Sequence, residues 1–477
     1  MIKKNIKTIC LPDSEIISAD YIENGSLNVQ GAESIDGLPP FSRVVIRSKL
    51  GAGSLIMTEV WLPDNFCGVF LGLGNGGMGG NICYNTLSQY IKDGYACANT
   101  DMGTSRGVES GIDNADVWKD FGWRATHIMT ELGKKLLREY YGEKEKYSYF
   151  IGASTGGQQA YGEAQHFPND YDGIIAGVPA NNRVFLHTYF LWNHNHLRTQ
   201  DGKVLFSDTE ISQITDCATK FFQSKGDGET GDNFISCPYL GQSTTEDFLN
   251  FLKSELPHFT EEQIRGLRAV YNGPVNPKTG EQIYSGMPIG SEIFAGGIAD
   301  CQNSESPHFY PFIWAFGKDY CGYDFNFADD LEKISRKLSP DLNANSPDLE
   351  AFYKNGSKLL AFSGSADPCI PYPDAVQYYN HVSDKMGKEI CDSFFKYFVF
   401  PGRDHGVTGR GVTCKFGKLL HVLRAWCEKG EAPDYLTAVR YENDEAVFER
   451  KIYPYNADKV SPDTLQPVCC EEYLKHR

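Results

Sequence analysis

Short, nearly continuous apolar runs, punctuated by glycine and proline, alternate along this chain with stretches of mixed polarity. Tyr147–Ile151 is one such run, and Tyr171–Val178, Lys358–Gly364 and Tyr397–Phe400 are others. Their length and polarity predict strands buried on both faces, as in a parallel sheet. Between the first two, Gln158–Ala164 predicts a helix that ends near His166-Phe167-Pro168. From about Asn181 to Phe352 the texture changes. Turn-rich polar segments such as Ser224–Asn233 separate helical pieces at Glu246–Leu256 and Glu261–Tyr271 from aromatic clusters at Phe185–Trp192 and Phe309–Phe316. Strand, helix, strand before this middle region and two further strand runs after it predict an α/β fold interrupted by a large insertion.

The chemistry starts at the end of the first run. Gly152-Ala153-Ser154-Thr155-Gly156-Gly157 follows the strand pattern directly and fits a G-x-S-x-G nucleophile elbow. Such a turn lifts its serine clear of the sheet with a helix N-terminus behind it. Glycines flank it because the turn is tight and a histidine must come close. The pattern is short and the chain holds 48 glycines, so alone it fits a chance loop equally well.

Two further features weigh against chance. Asp367 and His405 each stand just past a predicted strand, where open α/β sheets place their chemistry. The order Ser154, Asp367, His405 is that of the α/β-hydrolases. Asp404, next to the histidine, is a rival acid, but adjacent side chains orient one another poorly. The second feature is Leu71–Gly80, a glycine-rich loop after Gly68-Val69-Phe70. It can offer backbone N–H groups from Gly76 or Gly77 which, with that of Thr155, would receive an oxyanion. A phosphate cradle is disfavoured, because no Gly-Lys-Ser/Thr closes the loop.

With these residues in place, the chain resembles the tannase and feruloyl esterase family over nearly its whole length. Matching segments include Glu59–Pro63, Gly74–Gly80, Gly94–Asp101, Phe121–Ala125, Ser154–Gln159, Ala164–Gly173, Pro347–Phe352 and the surroundings of Asp367 and His405. The resemblance implies hydrolysis of phenolic acid esters, feruloyl, p-coumaroyl or galloyl, by an α/β-hydrolase core (1–180 and 353–477) carrying a lid domain (181–352). It also implies a cysteine before the nucleophile and another after the histidine, joined in a disulfide. Here those positions are Ala153 and Gly406. Family members often bind structural calcium in the lid. Asp227 and Asp232 are the nearest match, but their spacing departs from the family pattern, Asp216-Cys217 is shuffled, and an EF-hand reading fails. A surface turn is the alternative, and no cofactor is required by the chemistry.

Aromatic residues make up 13% of the chain, and Tyr189, Trp192, Phe312, Trp314 and Phe316 are candidates to wall a slot for a planar acyl group. Core packing is the alternative use of such rings. A net charge of −17 without any basic run excludes nucleic acid and acidic membrane surfaces as natural partners. The expected partner is a small aromatic ester. The 14 cysteines are scattered without C-x-x-C pairs, against a structural zinc site, and Cys469-Cys470 is a vicinal pair in the tail. Met1–Ile6 lacks an apolar leader core, and no stretch is long enough to span a membrane. Together with the absent site disulfide this favours the cytoplasm; a secreted protein whose leader is missing from this sequence would look the same. Two readings besides hydrolysis stay open: an acyltransferase using the same triad with another acceptor, and a non-catalytic ligand-binding relative.

Overall fold

The structure, a computed structural model, describes residues 6–455 except 24, 30–33, 228–230, 239–241, 304–308, 321, 407–408 and 444. Nine strands form its main sheet: β1 (Ser14–Ile22), β2 (Phe41–Ser48), β3 (Ile56–Pro63), β4 (Val69–Leu73), β5 (Ala96–Thr100), β6 (Tyr147–Ala153), β7 (Gly173–Gly177), β8 (Lys358–Gly364) and β9 (Phe395–Phe400). Their spatial order is β1-β2-β3-β5-β4-β6-β7-β8-β9. The first three pair antiparallel, and β3 meets β5 antiparallel. From β5 to β9 every pairing is parallel. This is the mostly parallel α/β sheet expected from the apolar runs, in the α/β-hydrolase form that the resemblance implies.

Alternation along the central strands builds two cores at once. Phe150 of β6 points to one face and packs with Phe70, Ile174 and the helix α1 (Ala125–Tyr141), which brings Met129, Leu132 and Leu136. Tyr149 and Ile151 point to the other face, into a cluster with Leu71, Leu73 and Ile175. Full burial of such side chains contributes roughly 1.5–3 kcal/mol each, so the sheet is held from both sides and its strand ends are fixed.

The helix α2 (Thr155–His166) follows β6 and packs on the first face through Ala160, Tyr161 and Ala164. Between β7 and β8 the chain leaves the sheet for α3 (Arg183–His196), α4 (Asp208–Ser224), α5 (Gln242–Glu255), α6 (Glu261–Asn272), α7 (Tyr310–Phe316) and α8 (Asp329–Leu342). Ser207 with Glu210, and Thr260 with Gln263, form capping boxes that start α4 and α6. Ile214, Phe221, Phe248 and Leu267 give this excursion an apolar cluster of its own. A second cluster sews α3, α7 and α8 to Met102, Val117 and Phe121 of the earlier chain. After β9 come α9 (Phe416–Lys429) and a hairpin of β10 (Leu436–Glu442) and β11 (Glu445–Ile452). Among the described residues no helix is long and apolar enough to cross a membrane. Cys469-Cys470 lies outside the described residues.

Near the far end of α2, Glu163 is buried beside Asp170, whose Oδ2 lies 2.7 Å from His127 Nδ1. Burial, then the charge of Asp170 and a hydrogen bond shared with it, hold the Glu163 carboxyl well above its ordinary range, with Lys134 opposing. A carboxyl that binds its proton more tightly folded than unfolded stabilises fully below the unfolded value of about 4.5, and that contribution is lost as pH rises through the folded one. Glu163→Gln should therefore gain thermal stability over wild type increasingly from acid to neutral pH in scanning calorimetry. Parallel stability profiles would contradict this account of Glu163.

Candidate active site

Ser154 occupies the single-residue turn between β6 and α2, with φ +61° and ψ −118°. A non-glycine residue there is strained, typically by 1–3 kcal/mol, and it is held from both sides. Its N–H donates to the Gly177 carbonyl at 3.0 Å, and its own carbonyl accepts from Ala180 N–H at 3.1 Å. The glycines around it are close-approach residues. A Cβ on Gly152 would collide with the Gly156 carbonyl, and one on Gly74 would lie 2.7 Å from Gly156 Cα. So β4, β6 and the first turn of α2 touch backbone to backbone.

That contact seats the glycine loop against the serine. Gly156 N–H donates to the Asn75 carbonyl at 2.7 Å, and Asn75 N–H donates to Gln159 Oε1 at 2.8 Å. Thr155 Oγ1 donates to the Gly77 carbonyl at 2.5 Å. Gly77 itself has φ +57°, the left-handed region that glycine adopts without steric cost. Among the described residues the N–H groups of Thr155, Gly76 and Gly77 have no hydrogen-bond partner. Gly77 and Thr155 line one cavity with Ser154; Gly76 lies outside its lining.

The other two triad candidates meet at the neighbouring strand ends. Gly364 of β8 is in register with Phe400 of β9, so the loops that follow start side by side. Asp367 is fully buried; its Oδ1 accepts the N–H groups of Cys369 and Ile370 at 2.9 Å each. Its Oδ2 lies 2.9 Å from His405 Nδ1. Asp367, not Asp404, therefore orients the ring. Burial disfavours the charged imidazolium most, but the charge and hydrogen bond of Asp367, with a smaller contribution from Asp404, outweigh it and raise the His405 pKa.

The cavity beside Ser154 has a volume of about 250 Å³. Its apolar wall includes Met78, Leu186, Phe190, Ile313 and Ile370, and its polar groups include Arg183, His187 and Tyr310. None of the five aromatic residues singled out from the sequence lines it, which corrects that expectation. Tyr189 is buried with its hydroxyl on the Pro368 carbonyl at 2.7 Å, and Trp192 donates to the Ala269 carbonyl at 2.9 Å. Trp314 donates to the Val108 carbonyl, Phe312 packs on Phe325, and Phe316 stacks on Tyr320. These rings join elements together. Arg183, Leu186, His187 and Phe190 were missed, although their i, i+3, i+4, i+7 spacing marks one face of a helix.

The calcium candidates are engaged with protein groups. Asp227 accepts the N–H groups of Ser236 and Cys237, and Asp232 is bridged twice by the Arg450 guanidinium of β11, at 2.9 and 2.8 Å. An arginine on one carboxylate and backbone donors on the other do not fit a calcium cage. The described cysteines, including those nearest the site, are free thiols.

Comparison with known proteins accords with this geometry. A family model described as tannase and feruloyl esterase matches residues 42–308 and 310–460. The chain belongs to the tannase and feruloyl esterase family. It is 30% identical over 432 residues to a probable feruloyl esterase B-2 of Aspergillus flavus, covering 84% of this chain and 80% of that one. It is 27% identical to feruloyl esterase B of Aspergillus niger, over 88% of this chain and 84% of the relative. The crystal structure of feruloyl esterase B from Aspergillus oryzae superposes with a TM-score of 0.84 at 23% identity, covering 95% of each chain. Tannin acyl hydrolase from Aspergillus niger superposes with a TM-score of 0.75 at 18% identity, over 93% and 89%. Like its family, this enzyme is a carboxylic-ester hydrolase.

Because Asp367 raises the His405 pKa, Asp367→Asn should move the imidazole titration to lower pH, read from the ring proton shifts by NMR. An unmoved midpoint would mean that another group sets the charge of His405.

Proposed function

We propose that this family member cleaves phenolic acid esters in two acyl-transfer steps on Ser154, with His405 as general base and acid and Asp367 as its orienting group. The observation that carries this reading is the convergence at one end of the sheet: a strained, outward serine at the cavity, and a histidine bonded through Nδ1 to a buried carboxylate on the adjoining loops.

The Nδ1–H bond to Asp367 sets the tautomer in which Nε2 carries the lone pair. Nε2 takes the Ser154 proton as Oγ attacks the ester carbonyl, and Asp367 stabilises the imidazolium that forms. The tetrahedral oxygen becomes negative and is received by the N–H groups of Thr155 and Gly77, which lack partners among the described residues. Each such donor lowers the barrier by about 3 kcal/mol in comparable sites. The alcohol leaves with the proton from His405, and water repeats the sequence on the acyl-enzyme. Every proton has a named carrier in this chain, so the reaction needs no cofactor.

The aromatic acyl group occupies the apolar cavity beside Ser154, with α3 and α7 of the 181–352 insertion as its lid-side wall. Feruloyl, p-coumaroyl and galloyl esters are the substrate class, in keeping with the names of the relatives. Methyl ferulate, methyl p-coumarate and methyl gallate, incubated with wild type and Ser154→Ala, test the reading by chromatography of the acids released. Wild type should release at least one acid, and Ser154→Ala should fall by about 10⁵-fold or more. Equal release by both proteins, or none by wild type, would overturn it.

A further inference from the structure

Arg403 lies in the loop that carries His405 and is only 4% exposed. Its backbone is tied to both neighbouring strand ends. The N–H donates to the Phe400 carbonyl at 3.3 Å, and the carbonyl accepts from Ala366 N–H at 3.0 Å. A Cβ on Gly364 would collide with that carbonyl. The guanidinium carbon lies 4.8 Å from the ring centroid of Phe362 in β8 and 5.8 Å from that of Phe400 in β9. Nη1 donates to Thr413 Oγ1, and Thr413 is paired through its N–H and carbonyl with Val439 of β10. The guanidinium therefore joins the start of the histidine loop to its end. Among the described residues no carboxylate lies within ion-pair distance of it, and Nε makes no hydrogen bond.

A guanidinium does not shed its charge under protein conditions, and burying that charge is unfavourable even over aromatic faces. An apolar side chain of similar length would fill the space without the penalty. What the charge does is set by its neighbours. Asp404 is the anion that acts on it most, followed by Asp367. Both carboxylates are buried, and both also act on His405. The imidazole thus faces Asp367 from the loop after β8, and Asp404 and Arg403 from its own loop; Ser154 of the elbow is uncharged. Other ions packed around the loop are engaged elsewhere: Arg440 with the Gly409 carbonyl, Arg410 with Asp216, and Arg450 with Asp232. Two carboxylates beside one imidazole favour the imidazolium, which cannot accept a proton. One fixed cation in the same loop opposes them.

We propose that Arg403 is a positioning residue for His405: clamped among Phe362, Phe400 and Thr413, its fixed charge offsets that of Asp404, so that the ring stands uncharged and ready to act as a base near neutral pH. This rests on the reading of His405 as the base for Ser154. Asp367, Asp404 and Arg403 together then carry one net negative charge, and the imidazolium formed when Ser154 gives up its proton matches it. The clamp matters because an offset of this kind depends on distance. Rings on two strands and a hydroxyl at the loop's far end keep the cation where it opposes Asp404 without displacing Asp367 from Nδ1.

Ring-proton NMR of His405 tests this in wild type, Arg403→Met, Arg403→Lys and the double variant Arg403→Met with Asp404→Asn. Arg403→Met should move the midpoint of the imidazole titration up by about half a pH unit or more. Arg403→Lys keeps the charge and should stay near wild type, and the double variant should return toward it. Arg403→Gln, which keeps a donor for Thr413, takes the place of Arg403→Met should that variant not fold. The acid limb of the pH profile for fluorophosphonate addition to Ser154 should move together with the NMR midpoint. An unmoved midpoint in the uncharged variants, or an equal shift in Arg403→Lys, would overturn the proposal and leave Arg403 a packing residue, seen only as a lowered melting temperature. A shifted midpoint with an unmoved acid limb would instead overturn His405 as the base, so the two failures are told apart.

Discussion

The contact on which the site depends is the backbone-to-backbone approach of Gly74, Gly152 and Gly156 around Ser154. No side chain fits between these segments, so the end of β4, the end of β6 and the first turn of α2 are held at a fixed spacing. The strained φ of Ser154 persists because its N–H and carbonyl are bonded to Gly177 and Ala180, on the strand next door and the loop beyond it. Two apolar clusters on opposite faces of the sheet keep those strands in register. Geometry that is locally unfavourable is thus sustained by the packing of the whole core.

The same economy explains how the site does without a disulfide between the elbow and histidine loops. Ala153 and Gly406 offer no sulfur, and the histidine loop is instead tied through Asp367, whose Oδ1 is fixed by two backbone N–H groups and whose Oδ2 holds the ring. The glycine loop is tied separately, by Asn75 to Gln159 and Gly156 and by Thr155 to Gly77. Each loop is thus held to its own neighbour by hydrogen bonds to buried groups, the histidine loop to that of Asp367 and the glycine loop to the elbow.

Much of this was legible in the sequence. The apolar runs at 147–151, 358–364 and 397–400 become β6, β8 and β9 almost to the residue, because strands buried on both faces admit few polar positions. The positions of Ser154, Asp367 and His405 at strand ends were readable because tight glycine turns and the ends of buried strands leave local marks. The cavity was not. Tyr189, Trp192, Phe312, Trp314 and Phe316 are aromatic for packing or for bonding to distant carbonyls, and aromatic identity alone does not separate those uses from a ligand wall. The helical spacing of Arg183, Leu186, His187 and Phe190 carried the information, yet which face of α3 meets Ser154 depends on contacts with Phe121, Gln158 and Thr155, remote in sequence. Likewise nothing near Asp232 foretold its pairing with Arg450, more than two hundred residues on.

The central claim is that Ser154 is the nucleophile of a His405–Asp367 pair, and covalent trapping addresses it most directly. A fluorophosphonate incubated with the intact protein should add one phosphonyl group, located on Ser154 by peptide mass spectrometry. The rate of addition should fall by several orders of magnitude in His405→Ala, because the hydroxyl then has no base. Addition at a different residue, no addition to wild type, or an unchanged rate in His405→Ala would contradict the account.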